Sequence, residues 1–265
     1  MKLKRFMDDA YQGKTRSKKL DTHKGDIIFG LDDLAERLGD RPTKAEVEML
    51  LPEDDKLILS LISSDPGKKL KHKIIWGYLT SIAADRCGTC STPLRIQSGD
   101  YVGAGLEKGI IVLDSGGDHV GEGMSGGRIF IKGKSGDYLG QDMNGGGIVA
   151  GSCRDYAFRN MHTGWGVILG NAGKYTGIGN SGGSIAIRGS AGERSGWLMR
   201  SGRLRIHGDA GDYLGLMMSG GEIAVMGIAG RRAGWRMKGG SIKAGSFGPE
   251  AGEGGVGGSI LGLNS

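Results

Sequence analysis

From Gly99 onward the chain repeats itself about every nineteen residues, with a Gly-Asp-Tyr phrase, a further glycine and a short apolar run in each copy. Gly173, Gly192, Gly211 and Gly230 keep a step of nineteen, and Gly99, Gly117 and Gly136 precede them at steps of eighteen and nineteen. Between Gly136 and Gly173 two repeats pass with Arg154 in the glycine position, which makes eight copies. A fixed period of about 20 residues means stacked units that share one continuous core, rather than a globule with one enclosed centre.

Aligned on these glycines, the copies form columns. Tyr101, His119, Tyr138, Tyr156, Tyr175 and Tyr213, with Arg194 and Arg232 in two copies, make the first, read as a strand signal. A second glycine follows in each copy except at Phe158, then a methionine column (Met124, Met143, Met161, Met199, Met218, Met237) broken by Asn180. After it come strands such as Ile129-Phe-Ile131, Ile185-Ala-Ile187 and Ile223-Ala-Val225, in which apolar residues alternate with polar or small ones at the period of a half-buried β-strand. No copy has room for a helix of three turns.

The pattern predicts a mainly β protein, a right-handed parallel β-helix of about eight coils with a small mixed α/β cap at the N-terminus. Coils stacked about 4.8 Å apart would span roughly 35 Å, with isoleucine, valine and leucine ladders inside and methionine filling the gaps. The glycines do not keep the three-residue step of collagen, and aspartate recurs too rarely for calcium-binding nonapeptide coils. A division into 1–95, 96–248 and a glycine-rich tail or final coil at 249–265 follows the change of composition near Cys90.

Thr43-Lys-Ala-Glu46 has the spacing of a capping box, and Leu31, Leu34, Ala35 and Leu38 share one helical face, so two short helices are expected. Lys56–Ile62 and Ile74–Leu79 are apolar stretches too short to classify by period. The net charge is +6, nearly all of it from eight basic against three acidic residues between Met1 and Lys24. That arm lacks the aromatic interleaving of a nucleic-acid binder and reads as solvated or partner-docking. No apolar run is long enough to span a membrane and no signal core follows the first residues, so a cytoplasmic protein is expected.

Few residues suggest chemistry. Cys87-Gly-Thr-Cys90 could form half a metal site or a redox pair, but no second pair exists, so a turn into the first coil is the simpler reading. Asp114, Asp118, His119 and Glu122 could do acid–base work, yet Asp118 and His119 stand in columns the repeat already explains. Glycine phrases such as Gly177-Ile-Gly179-Asn-Ser-Gly182 have no following helix to hold a pyrophosphate. No catalytic, cofactor-binding or metal residues are assigned. The fourth coil breaks the rule with Arg154, Phe158, Arg159, His162 and Trp165, a composition of interface anchors. Trp197 and Trp235, beside Arg200, Arg236 and Lys238, form a second candidate set for a partner or an anionic chain.

The recurring Gly-x-x-x-Gly, Met-x-Gly-Gly and Ile-x-Ile/Val-x-Gly phrases, from about Ser98 to Gly248, resemble the GXGXG family. That family includes the C-terminal β-helix of the glutamate synthase large subunit and the β-helical subunit of formylmethanofuran dehydrogenase. Free-standing length, and the interruption with Tyr156, Arg159 and Met161, resemble the latter. The resemblance implies a non-catalytic scaffold in a complex that reduces CO2 and attaches it to methanofuran. Its implied partners are subunits A and B and the iron–sulfur subunits. The tungsto- or molybdopterin, the iron–sulfur clusters and a dinuclear metal centre would then sit on those partners, with no cofactor on this chain. A component of glutamate synthase, or an interaction module of another redox complex, is the alternative.

Overall fold

In every coil one short strand lies directly over its counterpart, because the apolar alternation forces the same face inward each time. The structure, a computed structural model, describes Ile28, residues 30–87 and residues 92–263. Ten strands follow one another: β1 (Leu94–Ile96), β2 (Ile110–Leu113), β3 (Arg128–Ser135), β4 (Asn144–Cys153), β5 (Thr163–Ile168), β6 (Ser181–Ile187), β7 (Ser201–Ile206), β8 (Glu222–Ala229), β9 (Ser241–Phe247) and β10 (Ser259–Gly262). They pair in sequence order in one sheet, parallel throughout, a β-solenoid of about nine turns rather than eight. The additional turn comes from β1 and β10, which lie outside the clearest repeats and pair with β2 and β9.

The register stacks like on like. Ile111, Ile129, Ile148, Gly166, Ile185, Leu204, Ile223 and Ile242 form one inward ladder, and Leu113, Ile131, Ala150, Ile168, Ile187, Ile206, Val225 and Ala244 the next. The six methionines of the expected column are buried beside them. Asn180, also fully buried, interrupts that column with its own turn, accepting from the N–H groups of Gly182 (3.2 Å) and Gly183 (2.9 Å) and donating to the Gly183 carbonyl (2.9 Å).

The tyrosine column is a corner and not a strand. Tyr101, His119, Tyr138, Tyr156, Tyr175, Arg194, Tyr213 and Arg232 all have φ between 56° and 62°. Each backbone N–H donates to a carbonyl of the next coil, Tyr101 to Asp118 at 2.8 Å and His119 to Asp137 at 2.9 Å. Left-handed backbone costs a side-chain-bearing residue about 1–2 kcal/mol. The inter-coil hydrogen bond, at about 1 kcal/mol, and ring stacking, at about 0.5–1.5 kcal/mol, offset it. The rings from Tyr101 to Tyr175 stack at 4.6, 4.7, 5.0 and 4.7 Å between centroids. Arg194 then inserts between Tyr175 and Tyr213, 5.6 and 5.5 Å from their centroids, and continues the stack as a cation.

Among the described residues the front segment carries four helices ahead of β1. Its elements are α1 (Leu31–Arg37), α2 (Lys44–Leu50), α3 (Asp55–Ile62) and α4 (Leu70–Cys87); the two stretches that period alone left open are α3 and the middle of α4. The capping box forms at α2: the Thr43 N–H donates to Glu46 Oε2 (2.8 Å) and the Glu46 N–H to Thr43 Oγ1 (3.3 Å). At α3, Asp54 accepts from the Lys56 N–H at 3.0 Å. No amphipathic period marks α4, because the other helices cover one side of it and the first coil the other. Gly77 permits that seating, since a Cβ there would strike the Tyr101 backbone.

Polar groups fix the cap to the coil stack. Asp85 Oδ1 accepts from the N–H groups of Lys108 (2.9 Å) and Gly109 (3.1 Å), and its Oδ2 pairs with Lys44 Nζ at 2.7 Å. Burial pulls the Lys44 pKa down, but hydrogen bonds and charge from Asp85 and Glu107 outweigh it and raise the value. At the neighbouring corner, burial raises the Asp100 carboxyl, but Lys73 (2.8 Å) and the Asp118 N–H (2.9 Å) prevail and hold it below the usual carboxylate range.

Asp85→Ala strands these donors, and we expect a loss of about 2 kcal/mol. With Trp165, Trp197 and Trp235 replaced by Phe so that Trp76 alone reports, its fluorescence transition in urea should precede the loss of the β-sheet circular dichroism signal in that variant; coincident, unshifted transitions would contradict this. For Asp100, a depressed folded pKa stabilises above the unfolded value of about 3.9 and is lost as pH falls through the folded one. Asp100→Asn should therefore flatten the dependence of the melting temperature on pH below about 4.

Candidate functional site

The residues that resembled catalytic groups are employed in joining coils. Asp118 Oδ1 accepts the Asp137 N–H at 2.8 Å, and Asp100, Asp137, Asp155 and Asp212 do the same for their next coils. His119 is stacked between Tyr101 and Tyr138, with Nδ1 2.7 Å from Glu122 Oε2. Burial, then the charge of Glu122, pushes the Tyr101 phenol up to about 12. Among the described residues no group of three or more His, Cys, Asp or Glu is placed to hold a metal ion.

Cys87 ends α4, exposed, its Sγ 3.8 Å from Asp55 Oδ2; burial and then the Asp55 charge push its thiol up. Cys90 and the basic arm lie outside the described residues. Cys153 occupies the small inward column of Ser135, Ala172, Ala191 and Ala210, where burial pushes its thiol up to about 12.

The fourth coil separates into inward and outward parts. Phe158 is fully buried, which corrects its reading as an interface residue. Elsewhere a corner glycine and a strand Ile or Leu stand eight residues apart, as in Gly140 and Ile148 or Gly196 and Leu204; here the pair is Phe158 and Gly166. A Cβ on Gly166 would collide with the Phe158 ring. The phenyl ring therefore fills from the corner the space an isoleucine fills from the strand, and the coil keeps its volume by exchanging the two positions.

The remaining candidates are exposed but not gathered together. Arg154 pairs with Asp137 at 3.4 Å, Arg159 stands on the corner after the tyrosine column, and His162 Nδ1 lies 3.0 Å from Ser181 Oγ. Trp165, 37% exposed, faces outward from β5, and its indole lies over Gly147 of β4, where a Cβ would meet it. It borders a groove of about 530 Å³ lined also by Lys108, Ile110, Arg128 and Thr163, with Gly127, Gly146 and Gly164 among its lining. Arg154, Arg159 and His162 do not line it.

Beside Trp165 runs an outward ladder that a rule of strict alternation hides. Val112, Phe130, Val149, Val167 and Ala186 are in register on the solvent side of the sheet, and Leu169 is 50% exposed nearby. In later coils the same column holds Arg205 and Lys243. The signal was present in the sequence: Ile110-Ile-Val-Leu113 and Gly166-Val-Ile-Leu169 are apolar on both faces, whereas Arg203-Leu-Arg-Ile206 alternates. On the corner of later coils, Trp197 and Trp235 stand against Tyr175 (6.0 Å) and Tyr213 (6.1 Å) between ring centroids.

The fold defines the chain as a parallel β-solenoid. Residues 128–244, from the start of β3 into β9, match the family model of the GXGXG motif. A comparison with curated proteins gives no match.

Phe158→Gly should cost about 3 kcal/mol, as for other emptied aromatic sites, and Gly166→Ile should cost as much by overpacking. The double substitution recreates the ordinary coil and should recover stability to within about 1 kcal/mol of the parent. Additive losses in chemical denaturation would refute the exchange.

Proposed function

We propose that this chain is a non-catalytic scaffolding component of a formylmethanofuran dehydrogenase complex, holding redox and amidohydrolase-like subunits in fixed relation. The observation that carries the reading is the apolar outer face of β2 to β6, with Trp165 at its edge. An apolar centre with Lys108, Arg128 and Lys132 at its rim is the anatomy of a protein interface. The GXGXG match supports it at the level of the motif. So does the employment of the Asp and His side chains in coil junctions, which leaves the solenoid a spacer of set length. In this reading the pterin, the iron–sulfur clusters and the dinuclear metal centre reside on the partners, subunits A and B and the iron–sulfur subunits, in the cytoplasm.

Affinity purification of the tagged chain from its source under anoxic conditions, followed by mass spectrometry, tests this. Large metal-containing subunits should accompany the chain, and Trp165→Glu should lower their recovery at least about tenfold, the scale of an interface hot spot. Recovery of a flavin protein with a glutaminase instead would transfer the chain to glutamate synthase.

A further inference from the structure

The corner of the later coils carries a feature the early coils lack. The second residue after the corner position has left-handed backbone throughout; at 105, 123, 179 and 254 it is glycine, and in the third and fourth coils it is Asp142 and Asn160, residue types that tolerate that backbone. At Leu198 (φ 55°), Met217 (φ 52°) and Arg236 (φ 52°) it is a large side chain, held there by N–H bonds to Leu216 (3.0 Å), Trp235 (2.9 Å) and Glu253 (3.0 Å) carbonyls. Leu198 is 39% exposed. Strain kept where glycine serves elsewhere places these side chains outward beside Trp197 and Trp235.

The charge around them is unbalanced. Three of the nearby carboxylates already have cations, Glu193 with Lys174 (3.5 Å), Asp212 with Arg231 (3.8 Å) and Glu250 with Arg232, which leaves exposed Glu253, whose carbonyl accepts the Arg236 N–H, against three cations. Arg200, Lys238 and Arg236 are exposed and have no carboxylate partner among the described residues, Arg236 lying over the Trp235 ring at 4.5 Å. Arg200 and Lys238 hold the same column two coils apart, about 10 Å.

We propose that this corner docks an acidic amphipathic helix of a partner protein, laid along the solenoid axis. Carboxylates at i and i+7, about 10.5 Å apart, match Arg200 and Lys238, and apolar residues at i+3 and i+4 cover Leu198 and Met217. A polyphosphate chain fits less well, because paired Glu193, Asp212 and Glu250 stand among the cations and the centre is apolar. The inference goes beyond the scaffold reading and stands on different residues, so loss of partners through Trp165 leaves it untouched.

The test uses the full chain and a labelled helical peptide with Glu at i and i+7 and Leu at i+3 and i+4, against the same peptide with Lys for Glu. Fluorescence anisotropy should show the Glu peptide bound and the Lys peptide not. The double variant Arg200→Glu/Lys238→Glu should lose at least about tenfold in affinity and turn towards the Lys peptide. Leu198→Gly/Met217→Gly should weaken binding by about tenfold at an unchanged or raised melting temperature, since glycine relieves the backbone. Equal binding of both peptides, or binding of polyuridylate RNA or phosphatidylserine vesicles without the Glu peptide, overturns the proposal. So does a glycine variant that binds as the parent does.

Discussion

Backbone hydrogen bonds between successive coils fix nearly everything else in this molecule. They set each coil about 4.8 Å above the last, and that spacing decides which side chains a position can hold. Where an aspartate turns in to accept the next coil's N–H, a Cβ one residue earlier in that coil would strike its oxygen, as at Gly117 over Asp100 and Gly136 over Asp118. Aspartate and glycine therefore recur together, with Arg154 above Asp137 as the exception. At Gly192 and Gly211, above Lys174 and Glu193, a Cβ would instead strike the backbone of the coil below, so close stacking keeps the glycine beat even where no aspartate stands.

The same constraint removes candidates from chemistry. An aspartate that accepts from the next coil, or a histidine stacked between two tyrosines, is committed by the spacing of the coils. What remains free is what points outward from the strand and from the corner. On those two surfaces the sequence varies from coil to coil, while the inward ladders keep their residue types.

Legibility in the sequence followed period. The coil stack, the inward ladders and the capping box at Thr43 were readable because each is a local spacing rule that the structure keeps. The helices α3 and α4 were not: α3 is only eight residues long, too short for its period to stand out, and α4 is buried on opposite sides and loses its amphipathic signature. The tyrosine column misled for a related reason: its aromatic residues resemble a strand, but stacking along the axis and a bond to the next coil hold them in left-handed backbone. Neither force is visible within one copy.

The interruption at the fourth coil illustrates how an alignment of columns can misassign a residue while pointing to the correct place. Phe158 and Arg154 replace glycines in the same copy, yet one is fully buried and the other exposed. Reading each substitution alone gives two anomalies on one surface. Reading Phe158 together with Gly166, eight residues later, gives one preserved volume and leaves only the outward groups to explain. Trp165 then differs from its column mates for a separate reason. Its indole lies over Gly147 on the solvent side of the sheet, and glycine at that position is what leaves room for it.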